Sequence, residues 1–386
     1  MPLRLMIAFV AVATSMTLAF HLYLTVRIPV MLASSDLQWA VALAGHIQTH
    51  RFGLAGGLSA LMISYFLIGK EVSPRRVRWL AWASSGWMGA VLLLLLWVVA
   101  HHFAEALVVL FRAQLPALSG VACLAGAASM WTWGLFTALR PPALREVELP
   151  VAGLANAHEG LKILQITDVH IGPTLGQEFL QRIVDRSQAL EPDLIVITGD
   201  LVDGSVRLLR DEIAPIFQLS APLGVFFITG NHELISGADP WVAHLRKGGI
   251  TVLENQAVLL EHKGAAFNLV GVDDWDSQRF QASRSPNLGQ ALQNVDTSKT
   301  TVLLAHQPKA IVEACERGVD VQLSGHTHGG QIAPFAYMLY FDQPHRRGLY
   351  QVANTQLYVS EGAGYWGPPI RVGTRSEITL LRLVGA

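Results

Sequence analysis

Three strongly apolar stretches in the first 140 residues run for more than twenty residues without a charged side chain, and nothing else in the sequence restricts its fold so strongly. Residues 5–26 are one such run, residues 79–100 a second with five consecutive leucines at 92–96, and residues 113–139 a third. A bilayer core takes about 20 residues of apolar helix, so each run is long enough to span one. Residues 52–69 are shorter but also uncharged and are closed by Lys70, and they count as a fourth span. Between Arg27 and Arg51 the chain carries Asp36 and an apolar patch at 37–47, which reads as an interfacial helix or an extension of the second span. The first run follows a single basic residue, Arg4. It is longer than a signal-peptide core and has no small-x-small cleavage site after it, so it reads as an uncleaved anchor.

Orientation follows the placement of lysine and arginine. With four spans, Arg4, Lys70, Arg75, Arg76, Arg78, Arg140 and Arg145 share one side, and Arg27, Arg51 and Arg112 share the other. Seven against three puts the C-terminal part in the cytoplasm; three spans would invert it. His21, His46, His50, His101 and His102 fall at or near span ends and read as interfacial. Tryptophans also gather near span ends, as an aromatic belt does. The absence of charges along the spans argues against transport.

The chain changes character after residue 140. Its first 140 residues hold nine basic and three acidic side chains, a net +6; the remainder holds 19 and 26, a net −7. An acidic C-terminal part disfavours nucleic acid as a partner. The two cysteines, Cys123 and Cys315, fall in different parts and make no disulfide framework. Arg140–Pro141–Pro142 ends the last apolar helix. The organisation expected is a transmembrane region at 1–140, a linker and first strand at 141–160, and a layered α/β domain at 161–386. Within it, strands are predicted at 162–167, 194–198, 225–229, 267–271, 301–305 and 321–323. Helices are predicted at 175–190, 208–219 and 239–247, and the segment from 357 onward reads as β-rich.

The polar residues of interest stand directly behind these strands. They are Asp168-x-His170; Gly199–Asp200 and then Asp203; Gly230–Asn231–His232–Glu233; His306; and Gly325–His326–Thr327–His328. In open α/β sheets ligands bind beyond the carboxyl ends of the strands. Asp-x-His or Gly-Asp alone is ordinary turn chemistry. Two histidines at i and i+2 are rarer, because they project to one side of an extended chain. Five such segments in order, each behind an apolar strand, gather carboxylate, imidazole and amide oxygen in one crevice. A carboxylate can bridge two cations, and the other donors suit Mn, Fe, Zn or Ni.

This set resembles the calcineurin-like metallophosphoesterases over roughly 160–386. Gly329–Gly330–Gln331 and Gly367–Pro368–Pro369 with Arg371 are similar to that family's membrane-associated branch. The resemblance implies a four-layer α/β/β/α sandwich behind the all-α transmembrane region, and two divalent metal ions. One ion would be held by Asp168, His170 and His328, the other by Asn231, His306 and His326, with Asp200 bridging. It further implies in-line attack by a metal-bound hydroxide on a phosphate ester, His232 as proton donor to the leaving oxygen, and Asp203 as the carboxylate that orients His232.

Two departures matter. Gly204 stands where the family's protein phosphatases carry arginine, which disfavours a phosphoprotein substrate. Glu361 stands where the membrane branch carries arginine, which puts a phosphate clamp in doubt there. Arg371 and His345 read as surface or structural residues, and Asp273, Asp274 and Asp276 as a solvated loop. The expected protein is therefore an integral membrane phosphodiesterase or phosphomonoesterase with its catalytic domain in the cytoplasm. Related enzymes hydrolyse UDP-diacylglucosamine, so a lipid-linked substrate is the specific expectation. The alternative is a membrane sensor that uses the domain to bind a ligand, and a metal-dependent nuclease is a third reading.

Overall fold

The computed structural model describes residues 3–33, 36–111 and 120–386. The chain divides into two compact units. One holds Met1–Glu71, Val77–Phe136 and Gly367–Ile370; the other holds Val72–Arg76, Thr137–Trp366 and Arg371–Ala386.

The first unit is helical: α1 (Leu3–Ala33), α2 (Gln38–Glu71), α3 (Pro74–Leu110) and α4 (Gly120–Leu139). Among the described residues, three helical segments are long and apolar enough to cross a membrane: Ala11–Ala33, Pro74–Leu110 and Gly120–Leu139. Residues 52–69, the other expected span, are helical throughout as part of α2, as is the patch at 37–47. The start of the last expected span, 112–119, lies outside the described residues.

His21 differs from its interfacial expectation. It is buried within α1, where its Nε2 accepts from the Trp87 indole at 2.9 Å. Its Nδ1 faces the Thr17 carbonyl at 2.8 Å and the Ser59 hydroxyl at 3.0 Å. Since the indole can only donate, the ring proton sits on Nδ1. A fully bonded histidine of this kind ties α1, α2 and α3 together.

The second unit contains two six-stranded mixed sheets. The strands are β1 (Ala143–Val151), β2 (Lys162–Ile166), β3 (Leu194–Ile197), β4 (Val225–Phe227), β5 (Thr251–Val252), β6 (Gln256–His262), β7 (Ala265–Gly271), β8 (Thr301–Leu304), β9 (Val321–Ser324), β10 (Gly348–Val352), β11 (Thr355–Val359) and β12 (Glu377–Gly385). One sheet runs β1-β12-β2-β3-β4-β5 and the other β10-β11-β9-β8-β7-β6. The central strands β2 to β5 are mutually parallel, as are β7, β8, β9 and β11.

Alternation along the strands builds the layers. Ile163, Val196 and Phe226 face Leu269, Val302 and Leu323 in a core between the sheets. Leu164, Ile195 and Phe227 point outward onto α5 (Gln177–Gln188) and, beyond α6 (Val206–Leu209) and α7 (Asn231–Ser236), onto α8 (Ala238–Lys247). On the far side Leu303 and Val359 pack on Ile311 and Ala314. The order is thus helix, sheet, sheet, helix, as expected. Strands covered on both faces read as continuous apolar runs, which is why β3 (LIVI) is buried at every position. In α5, Phe179, Leu180, Ile183, Val184 and Ser187 are buried at helical spacing.

The helix expected at 208–219 does not form. Its place is taken by the one-turn α6 and a 3-10 turn at Ala214–Gln218 with Pro215 in its first positions. Proline lacks the N–H that a continuing helix needs and clashes with the preceding turn.

Candidate metal centre

The loops behind β2, β3 and β4 in one sheet and behind β8 and β9 in the other meet at one place. Here the structure brings together every residue predicted for the site. Asp168, His170 and His328 form one group of potential ligand atoms, and Asp200, His306 and His326 another; Asp200 also joins His170 and His232. Asn231 is adjacent, its Oδ1 3.0 Å from His326 Nδ1. Asp168, Asp200, His170, His306 and His328 are buried, and Asp203, Asn231, His232 and His326 are partly buried.

The backbone is bent into unusual conformations to achieve this. Asp168, His170, Asp200, His326 and His328 all have positive φ, between 49° and 70°. Left-handed backbone costs an L-residue about 1–2 kcal/mol and persists where the surroundings impose it, typically at functional sites. The loops also approach closely. Gly199 has φ +93°, and a Cβ there would stand 2.8 Å from His306 Nδ1; a Cβ on Gly230 would overlap the Asp200 carboxylate.

Neighbouring groups orient each side chain. Asp168 accepts from the Thr167 hydroxyl at 2.7 Å and from the His326 amide at 3.0 Å. Asp200 Oδ1 accepts from the His232 amide at 2.8 Å. His306 Nδ1 donates to the Thr198 carbonyl at 2.7 Å, which leaves Nε2 for another partner. Nε2 lies 3.2 Å from Asp200 Oδ2 and, among the described residues, is buried without a hydrogen bond of good geometry. His170 repeats the pattern. Its Nδ1 bonds Asp203 Oδ1 at 2.8 Å, leaving Nε2 towards His328 Nε2 at 3.0 Å and Asp200 Oδ2 at 3.9 Å. Arg371 donates to His328 Nδ1 at 3.1 Å, so the His328 proton sits on Nε2 facing His170. His170 and His306, each anchored through the far nitrogen and converging with the carboxylates of Asp168 and Asp200, have the usual support of a metal ligand. The donor set therefore fits divalent ions.

Asp203 is shared. Its Oδ1 bonds His170 and, at 2.6 Å, His232 Nδ1. Burial would raise the Asp203 carboxyl, yet these two imidazoles hold it well below the usual carboxylate range. Burial would lower His232, but Asp200 and Asp203 outweigh it and push its pKa up to about 10. His326 goes the other way: burial and then the charge of His306 lower it to about 3. Burial opposes a charged His306 too, but Asp200 raises it well above its ordinary value.

Several residues take roles the sequence reading did not assign. Glu233 is buried, and its carboxylate accepts four backbone N–H groups: Gly230 at 2.8 Å, Asp200 at 2.9 Å, Leu201 at 2.7 Å and Val202 at 3.2 Å. It clamps the loop of Asp200 to the start of α7. Burial, then the charge of Asp200, pushes Glu233 up to about 7 against these amides. Its place in Gly-Asn-His-Glu, three residues after the glycine, is the capping-box signal that could have found it.

Arg371 is fully buried and structural. It donates to the carbonyls of Glu361 at 2.7 Å, Gly364 at 2.6 Å and His328 at 3.3 Å. His345 packs edge-on against Tyr350. The acidic run corrects the solvated-loop expectation: Asp273 and Asp274 are buried, and Asp274 accepts from the Gln307 amide at 3.1 Å, beside His306. Burial pushes Asp274 up to about 6. Glu361 is buried too, 3.5 Å from Arg347 and 3.8 Å from Arg145.

The sequence profile described as calcineurin-like phosphoesterase matches residues 161–330. An uncharacterized metallophosphoesterase of Aquifex aeolicus is 34% identical over 232 residues, covering 58% of this chain and 85% of that protein. The chain belongs to the calcineurin-like phosphoesterase family. A transmembrane protein with metallophosphoesterase domain from Bos taurus is 40% identical over 264 residues, 66% of this chain and 60% of that one. An uncharacterized metallophosphoesterase of Helicobacter pylori is 39% identical over 253 residues, 65% of this chain and 66% of its own. The match to the transmembrane relatives thus spans about three-fifths of their length. As a calcineurin-like phosphoesterase, the chain combines candidate metal-ligand groups with apolar helices fit to cross a membrane.

Proposed function

We propose that this calcineurin-like phosphoesterase hydrolyses a phosphate ester at a two-metal centre. Asp168, His170 and His328 would hold one ion and Asn231, His306 and His326 the other, with the Asp200 carboxylate available to both. The observation that carries this reading is His306. Its Nδ1 is committed to a carbonyl, and its buried Nε2 is turned towards the Asp200 carboxylate at 3.2 Å, where a cation would sit between them. Bound there, divalent ions supply Lewis acidity to the phosphoryl oxygens and activate water for in-line attack. His232 donates a proton to the leaving oxygen, and Asp203 fixes the ring through Nδ1.

A phosphodiester is preferred to a phosphoprotein, since Gly204 places no arginine beside the site. The apolar helices favour a lipid-linked substrate, with the catalytic domain on the cytoplasmic side by the excess of lysine and arginine. The test is metal-dependent turnover by the full chain in detergent. After chelation and addition of Mn, bis-p-nitrophenyl phosphate is hydrolysed, and Asp200→Asn loses both the bound metal and at least about a hundredfold in kcat, since a bridging carboxylate supports both ions. An Asp200→Asn protein with full metal content and full activity would sink the reading.

A further inference from the structure

Trp366 is unusual in how it is held and what it faces. The residue is 53% exposed, yet its backbone is pinned at both polar groups by one side chain. Gln331 Oε1 accepts from the Trp366 amide at 3.0 Å, and Gln331 Nε2 donates to the Trp366 carbonyl at 2.9 Å. The preceding loop is fixed by the buried Arg371 through the Glu361 and Gly364 carbonyls. The indole ring stands edge-to-face with His232, centroids 5.8 Å apart and planes at 74°. Lone exposed aromatics are common on protein surfaces and need no explanation. A rigidly held one standing edge-to-face with a histidine of the metal-ligand cluster is different, because whatever that histidine meets in the site lies beside the indole.

We propose that Trp366 is a specificity-determining platform for the leaving group, and that the substrate's leaving side carries a flat or apolar surface next to its ester oxygen. This rests on the reading of His232 as proton donor. The ester P–O bond breaks, water adds to phosphorus, and the departing oxygen takes the proton from His232. A leaving group in that position lies beside the indole. A pre-fixed aromatic surface binds it without the ordering that a mobile loop would require.

Stacking on such a face is worth about a factor of ten in affinity. The test uses the full chain in detergent with Mn, comparing wild type, Trp366→Ala and Trp366→Phe. Two substrates share the leaving group, bis-p-nitrophenyl phosphate and methyl p-nitrophenyl phosphate. Inorganic phosphate, which has no leaving group, serves as competitive inhibitor. The expected result is a rise in KM of roughly tenfold for Trp366→Ala on both substrates, with kcat changed far less. Trp366→Phe recovers most of it, and the inhibition constant of phosphate stays put. A KM rise confined to the bis ester assigns Trp366 to the retained group and overturns the proposal. So does an unchanged KM, or a phosphate inhibition constant that moves in step with KM. Absence of turnover by the wild type with metal bound overturns the phosphoesterase reading itself, a separate outcome.

Discussion

At the scale of single residues, the site is a set of charges that burial opposes and neighbours sustain. His232 illustrates the balance. An isolated buried imidazole would be neutral, but two carboxylates raise its pKa to about 10 from an ordinary 6.5. A histidine raised in the folded state contributes stability that is fully present below the unfolded pKa and is lost as pH rises through the folded value. For His232 that window runs from about 6.5 to about 10, and on the proposed mechanism the same proton would be the one donated in hydrolysis. Asp203→Asn removes one of the two carboxylates. The alkaline fall in kcat should move to lower pH by on the order of one unit, seen in a pH–rate profile; an unmoved limb would separate Asp203 from the proton donor. Glu233 is the converse, a carboxylate serving four backbone amides. Glu233→Gln keeps one acceptor oxygen and turns an NH2 onto N–H groups, so it should destabilise the domain by about 3 kcal/mol and lower turnover. Thermal unfolding of the metal-free protein measures this, and an unchanged midpoint would refute the clamp.

At the scale of elements, short parallel strands end together and their loops turn sharply, which is how five separated segments deliver side chains to one point. The turns rely on left-handed residues and on close approach at Gly199 and Gly230. Gly199→Ala puts a Cβ 2.8 Å from His306 Nδ1 at φ +93°. It should cost about 1–3 kcal/mol and displace His306 from the Thr198 carbonyl. Calorimetry should then show metal affinity falling together with the unfolding temperature; unaltered metal affinity would mean the loop has more slack than its geometry suggests. Element type was legible where the signal was strong. β2, β3, β4, β7, β8, β9, α5 and α8 follow from apolar runs or helical spacing. The expected helix at 208–219 failed because its periodic leucines span Pro215, which ends a helix whatever the pattern around it. The strands β6 and β10 lie at the edges of their sheet with partly exposed faces, and their mixed composition hid them.

At the scale of the whole molecule, apolar helices fit to cross a membrane and a phosphoesterase domain share one chain. The excess of lysine and arginine on the side of Arg140 predicts that a fluorescent protein fused after Ala386 folds and shines inside the cell, while alkaline phosphatase at the same point stays inactive. The opposite pair of results would reverse the orientation and imply an odd number of spans.

The sequence by itself was enough for the family, the layered α/β class, the apolar helices fit to cross a membrane and the set of ligand-type residues that the fold gathers at one place. These depend on local facts: the length of uncharged runs, strand-like apolar stretches, and ligand-type residues placed directly behind them. What only the tertiary structure decided is which groups meet from far apart. That Glu233 clamps the Asp200 loop, that Arg371 is buried among carbonyls of the segment before it, that Asp274 lies beside His306 instead of in solvent, and that Trp366 faces His232 are all consequences of chain packing. Each involves a side chain whose type suits either a surface or an interior. Such a residue's position in sequence does not reveal its environment, because burial and hydrogen-bond partners are set by segments that only folding brings together.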